Sequence, residues 1–158
     1  MPMRTTSVLM WTMALVAPVL VQTTSPNVSV CAPQPGEGAR WLPSCEQAAN
    51  TGDGHAALMI GIMYWNGDGV PRDHATAGRW FQTADKFGEP RAAKYLGDWA
   101  FVRVAQAAKP EDADRAILDE AIAWYEKALK VEPVPTARTQ AQQRLEMLSQ
   151  LKQKLPAR

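Results

Sequence analysis

The 158-residue sequence is short of the groups from which active sites are usually built. It holds two cysteines and two histidines. The histidines lie far along the chain from the cysteines, so the set does not form a recognisable ligand spacing, and neither a metal nor a cofactor is expected. Charge of one sign is also lacking. Seventeen basic residues face sixteen acidic ones, for a net charge of +1. The basic residues are scattered among the acids, which removes the electrostatic footprint of a nucleic-acid binder. No Gly-x-Ser-x-Gly, His-Glu-x-x-His or P-loop pattern occurs. His55 and His74 sit near expected helix starts, and neither has an acid–base partner at a useful spacing. Asp53, Asp68 and Asp73 lie near glycines but lack the alternating oxygen ligands and closing Glu of a Ca²⁺ loop. Helix capping and turn formation account for them, and no catalytic residue is assigned.

What the chain does have is a helical pattern that recurs. In residues 57–64, Ala57, Ile60, Gly61 and Tyr64 fall on one helix face. Asn66-Gly67-Asp68-Gly69 breaks the helix. Asp73 then stands where an N-cap belongs, Ala77, Trp80, Phe81 and Ala84 form a second stripe, and Gly88 stops it. Moving Ala57, Ile60 and Gly61 forward by 36 gives Ala93, Leu96 and Gly97. Moving Ala84 and Gly88 back by 36 gives Ala48 and Gly52. The second stripe reappears 44 residues on, as Ala121, Trp124, Tyr125 and Ala128, so about eight residues are inserted in the second unit's turn. A period of this size predicts an all-α fold: a short α-solenoid of antiparallel helix–turn–helix repeats, each burying its face on the next.

The run Ala57-x-x-Ile60-Gly61-x-x-Tyr64-x-x-Gly67-x-Gly69-Val70-x-x-Asp73-x-x-x-Ala77-x-x-Trp80-Phe81-x-x-Ala84-x-x-x-Gly88 resembles a Sel1-like repeat, a relative of the tetratricopeptide repeat. The second unit departs from it. Ala100 stands where Tyr is usual, and the Gly-x-Gly-Val turn gives way to a segment around Lys109-Pro110-Glu111-Asp112. The resemblance implies a family of adaptor and binding proteins of an exported bacterial type, with a protein or peptide as partner and no particular reaction.

The remainder fits around these repeats. Residues 1–25 have the pattern of a secretory signal, with Arg4 first and an apolar stretch at 8–21. That stretch is shorter than the roughly 20 residues of a membrane span, so no stable membrane insertion is expected after cleavage. A buried helix and an uncleaved anchor are the alternatives. The location that follows is periplasmic or secreted. Residues 26–40 read as an irregular segment and 41–154 as the repeat domain. In an exported protein Cys31 and Cys45 are most simply a disulfide, with two free thiols as the alternative. Closing a loop of about 15 residues stabilises by roughly 3 kcal/mol. Residues 41–52 read as the second helix of a truncated leading hairpin, with Pro43 in its first turn. The second unit's first helix is placed at about 90–108, with Asp112 or Asp114 capping its second. After the break at Glu132-Pro133-Val134-Pro135, a helix over about 136–153 has the pattern of a C-terminal cap.

In such a stack the first helices line a concave face. The residues assigned to it are His55, Leu58, Ile62 and Trp65 in the first unit and Arg91, Lys94, Asp98 and Phe101 in the second. Arg138, Gln142 and Leu145 continue it on the last helix. Trp65 and Phe101 are either anchors for a peptide or packing between helices, and both readings stand; Trp80 and Trp124 read as core. The function expected is a non-catalytic exported binding module. The alternative is a cell-wall-directed or β-lactam-binding hydrolase or inhibitor, because some exported relatives of the repeat have been linked to such ligands. Its candidate nucleophiles, Ser44 and Ser149, have no evident base in the sequence.

Overall fold

The computed structural model describes residues 31–106 and 114–155. The expected signal at 1–25 and the inserted turn around Lys109-Pro110-Glu111-Asp112 lie outside the described residues. Among the described residues six helices follow in order: α1 (Gly38–Asn50), α2 (Gly54–Asn66), α3 (His74–Lys86), α4 (Ala92–Ala105), α5 (Arg115–Val131) and α6 (Pro135–Lys154). There is no strand among the described residues. Each helix packs on the next, so α2–α3 and α4–α5 form the two hairpins, α1 leads as a half unit and α6 closes the stack. The result is the expected all-α solenoid. The first helices α2, α4 and α6 form one layer and α1, α3 and α5 the other.

Ends are set by local chemistry. Asp53, Asp73 and Asp114 each accept free backbone N–H groups at the starts of α2, α3 and α5. The Thr76 hydroxyl and the amides of Thr76 and Ala75 hold the Asp73 carboxyl below its ordinary pKa. At the ends of α1 and α3 the chain closes in the same way 36 residues apart. Asp53 N–H donates to Ala48 O and Glu89 N–H to Ala84 O, with Gly52 and Gly88 at positive φ between.

Two boundaries differ from expectation. Helix α4 is shorter than 90–108, because Glu89, Pro90 and Arg91 form a turn in which Glu89 accepts the Arg91 N–H. Helix α1 begins at Gly38, so Pro43 lies in its interior rather than in its first turn. The cause is the α2–α3 turn. Asp68 accepts the amides of Gly36 and Gly38 at 3.1 and 3.4 Å, which orders the entry to α1. The backbones also meet here. A β-carbon on Gly38 would strike Asp68 O, and one on Gly69 would strike Ala39 N. The helix thus starts a turn earlier than its own sequence suggests, capped by a residue 30 positions away.

Glycine and aromatic residues fix the spacing of the helices. The Phe81 ring lies over Gly61, the Trp99 indole over Gly78 and the Tyr125 ring over Gly97. These join α2 to α3, α3 to α4 and α4 to α5. Phe81 and Tyr125 are fully buried, and they centre two apolar clusters. Trp80 and Trp124 are half-buried against the first cluster rather than enclosed. The disulfide between Cys31 and Cys45 is present, with Cα atoms 4.8 Å apart. It holds residues 31–37 as a strap along α1.

These contacts predict the sign of a simple substitution. Gly→Ala inside a helix gains about 1 kcal/mol where space is open. At Gly97 the added carbon would stand 2.7 Å from the Tyr125 ring, and at Gly61 and Gly78 it would be closer to Phe81 and Trp99. Gly61→Ala, Gly78→Ala and Gly97→Ala should therefore each lose about 1–3 kcal/mol by urea denaturation. A gain at any of them would contradict the packing.

Candidate functional site

The face formed by α2, α4 and α6 carries the residues assigned to a groove, and the structure sorts them into three groups. Leu58 is fully buried, and Asp98 is only 5% exposed. These two are interior residues, not lining of an open surface. Trp65 is half-buried, with its ring 4.4 Å from His74 and 6.1 Å from Phe81. It packs across its own hairpin, and Phe101 packs against the second cluster. His55, Ile62, Arg91 and Lys94 remain partly accessible.

His55 and Arg91 occupy equivalent positions in the two units and meet. The Arg91 guanidinium donates to His55 Nδ1 at 2.7 Å and to Glu89 Oε1 at 3.1 Å. A guanidinium has no acceptor, so Nδ1 accepts and the ring proton lies on Nε2. This places His55 Nδ1 in a structural link between α2 and the start of α4. His74 is stacked on Trp65.

Further along α4 the polar residues close into a network. Asp98 accepts from Tyr125 Oη at 2.7 Å, from Lys94 Nζ at 2.7 Å and from Arg144 at 3.0 Å. Arg144 also lies 4.9 Å from the centre of the Phe101 ring. One carboxylate with two cations and a phenol ties α4, α5 and α6 together. Removing one partner of such a cluster leaves the others buried and unmatched. The first unit has the apolar version, since Ile62 and Phe81 stand where the second has Asp98 and Tyr125. The hydroxyl and the carboxylate that receives it appear together. Tyr125 and Arg144 were not among the assigned residues; Tyr in place of Phe at a core position was the available signal.

An open apolar cleft of about 160 Å³ lies at the other end of this layer, lined by Pro33, Pro35, Met59, Ile62, Met63, Asn66 and Asp68. Ile62 is the one assigned residue in it. Met59 shares a helix face with His55 and Ile62 at spacings of four and three, so the periodicity of α2 already pointed to it. Pro33 and Pro35 come from the strap and had no periodic signal at all.

Ser44 Oγ donates to Trp41 O and Ser149 Oγ to Leu145 O, both at 2.8 Å. Each hydroxyl is turned back onto its own helix. Among the described residues no three His, Cys, Asp or Glu converge as metal ligands, and no helix is long and apolar enough to cross a membrane.

Comparison with known families agrees with this architecture. The Sel1 repeat model matches residues 54–84 and 118–130, which are the first hairpin and most of the second unit's second helix. The chain carries Sel1 repeats. The gap between the two matches covers α4 and the inserted turn, where Ala100 replaces the usual Tyr. Sel1 repeats mediate protein–protein interaction, which fits a non-catalytic adaptor. Comparisons with curated proteins and with solved structures find no match.

The network gives this Sel1-repeat protein an alkaline limit. Burial first, and the Asp98 charge second, push the Tyr125 phenol far above its ordinary value of 10.0. The folded state therefore keeps a proton that the unfolded chain releases above about pH 10. Stability from this group is intact below that pH and is lost as pH rises past it, by about 1.4 kcal/mol per pH unit. In urea denaturation between pH 9 and 11.5, Tyr125→Phe should show a shallower decline by about one proton. Parallel curves for the two proteins would refute the assignment. At neutral pH the same variant should lose about 1–2 kcal/mol.

Proposed function

We propose that the protein is an exported, non-catalytic adaptor that holds an extended segment of a partner protein along α2. An apolar side chain of that segment sits in the cleft beside Ile62, and its backbone runs toward His55 and Arg91. The cleft carries the proposal. Its floor is Met59, Ile62 and Met63, its wall is Pro33 and Pro35, and methionine-rich apolar surface adapts to side chains of varied shape. Export is supported by Arg4 ahead of an apolar stretch and by the Cys31–Cys45 disulfide, since such bonds persist in oxidising compartments.

Peptides selected by display against the immobilised protein test the reading. Binding of a selected peptide should weaken about tenfold or more in Ile62→Asp, the loss expected for a central apolar anchor. Ile62 is only partly buried, so the new carboxylate keeps contact with water, and an unchanged far-UV spectrum checks that the variant is folded. Met147→Asp, on an exposed part of α6, should leave affinity unchanged. Equal affinity of wild type and Ile62→Asp would rule out the cleft.

A further inference from the structure

Four large apolar side chains are exposed among the described residues, and three of them stand at one edge of the stack. They are Phe87, Val131 and Val134, at 40%, 41% and 40%. This edge carries the connections from one unit to the next: Phe87 ends α3, Val131 ends α5 and Val134 precedes α6. Phe87 and Val131 are 44 residues apart, the offset that relates the two second helices. Their helix ends are neighbours in space. Lys127 Nζ donates to Asp85 Oδ2 at 2.8 Å, joining α5 to α3 near their C-termini. Phe87 also lies against Gly54 at the start of α2.

Charge at this edge is sorted by sign. Lys86 and Lys130 occupy equivalent positions beside Phe87 and Val131. Both are exposed, and neither has an ion-pair partner among the described residues. The acids of the same connections are turned inward or engaged. Glu132 is 1% exposed and accepts the Val134 N–H, and Glu89 is held by Arg91. Asp85 is held by Lys127, and Glu126, the nearest unpaired acid on α5, stands a turn further from the edge. A lysine in the last turn of a helix complements the helix dipole. The dipole gives no reason for the next residue to be a water-facing Phe or Val, and the pairing occurs in both units.

We propose that this edge docks the protein on an anionic phospholipid surface. Phe87, Val131 and Val134 enter the headgroup layer, while Lys86 and Lys130 pair with lipid phosphates. These side chains project from helix ends, and a lipid layer yields to projections without needing a shaped recess. The apolar cleft is elsewhere: Ile62 is eight residues from Gly54, so it stands about 12 Å along α2 from the docked edge. Docking is therefore compatible with an open cleft and does not depend on what the cleft binds.

The test uses the full chain with vesicles of phosphatidylglycerol and phosphatidylcholine in equal parts, with phosphatidylcholine alone, and without vesicles. Because the stretch at 8–21 is itself apolar, the readout is local to the edge: acetylation of individual lysines, followed by mass spectrometry. Lys86 and Lys130 should react at least about fivefold more slowly on anionic vesicles than in either control. Lys154, at the other end of α6, should be unchanged. Sodium chloride at about 0.5 M shortens the screening length to roughly 4 Å and should return both lysines to the control rate. So should the variant with Phe87→Ser and Val131→Ser, its fold checked by far-UV spectrum. Equal rates with and without anionic vesicles overturn the proposal, as does equal slowing of Lys154. Protection that grows with protein concentration without lipid assigns the edge to a second copy. Protection by soluble polyglutamate but not by vesicles assigns it to an acidic protein, and either result also overturns lipid docking.

Discussion

At three successive helix interfaces an aromatic ring lies where a β-carbon would otherwise be: Phe81 over Gly61, Trp99 over Gly78 and Tyr125 over Gly97. A small domain of paired helices has no single large core, so its stability comes from each interface in turn. Close approach at a glycine lets one large ring fill the space between two backbones. It also fixes the axial register, because the ring fits over one residue only. The contacts alternate between interfaces within a hairpin and the interface between hairpins. They therefore set both the unit and the way units are joined, and the position of every residue on the α2–α4–α6 face follows.

The second unit shows how such a frame absorbs polar residues. Tyr125 keeps the ring that Phe81 supplies in the first unit, and its hydroxyl requires a partner once buried. Asp98 supplies one, and a buried carboxylate in turn requires cations. Lys94 comes from the same helix and Arg144 from α6. The cap is thus held by a buried charge cluster at its middle, with Lys152 to Asp119 and Arg115 to the Leu155 carbonyl nearer its end. At the opposite end of the layer the equivalent positions stay apolar, and the strap leaves a cleft instead of a filled interface.

Much of this was legible in the chain. The recurrence of Ala57-Ile60-Gly61 at Ala93-Leu96-Gly97 located the hairpins, because stacked units must present the same stripe to the same neighbour. Asp73 and Gly88 marked helix ends through local backbone chemistry, which depends on adjacent residues only. Contacts across the stack were not legible. Gly78 carries no helical-face signal that distinguishes a seat for Trp99 from an ordinary surface glycine. Asp68 reads as a turn residue, and its role in starting α1 appears only when the α2–α3 turn is laid against Gly38. Leu58 and Asp98 were assigned to the accessible face by spacing from Ile60 and Gly61. A helix inside a two-layer stack is covered on more than one side, so the stripe opposite the hairpin partner is not automatically exposed. The cleft depends on Pro33 and Pro35, whose placement comes from a disulfide and a carboxylate rather than from any periodicity.

The most direct measurement of the ring-over-glycine frame is proton NMR of the glycine Hα resonances in the intact protein. A proton under an aromatic face is shifted upfield by the ring current. Gly61, Gly78 and Gly97 should show strongly upfield Hα signals with cross-relaxation to Phe81, Trp99 and Tyr125, whereas Gly36, Gly52 and Gly88, with nothing near their β position, should not. Ordinary shifts at the first three, with no cross-peaks to those rings, would contradict the account.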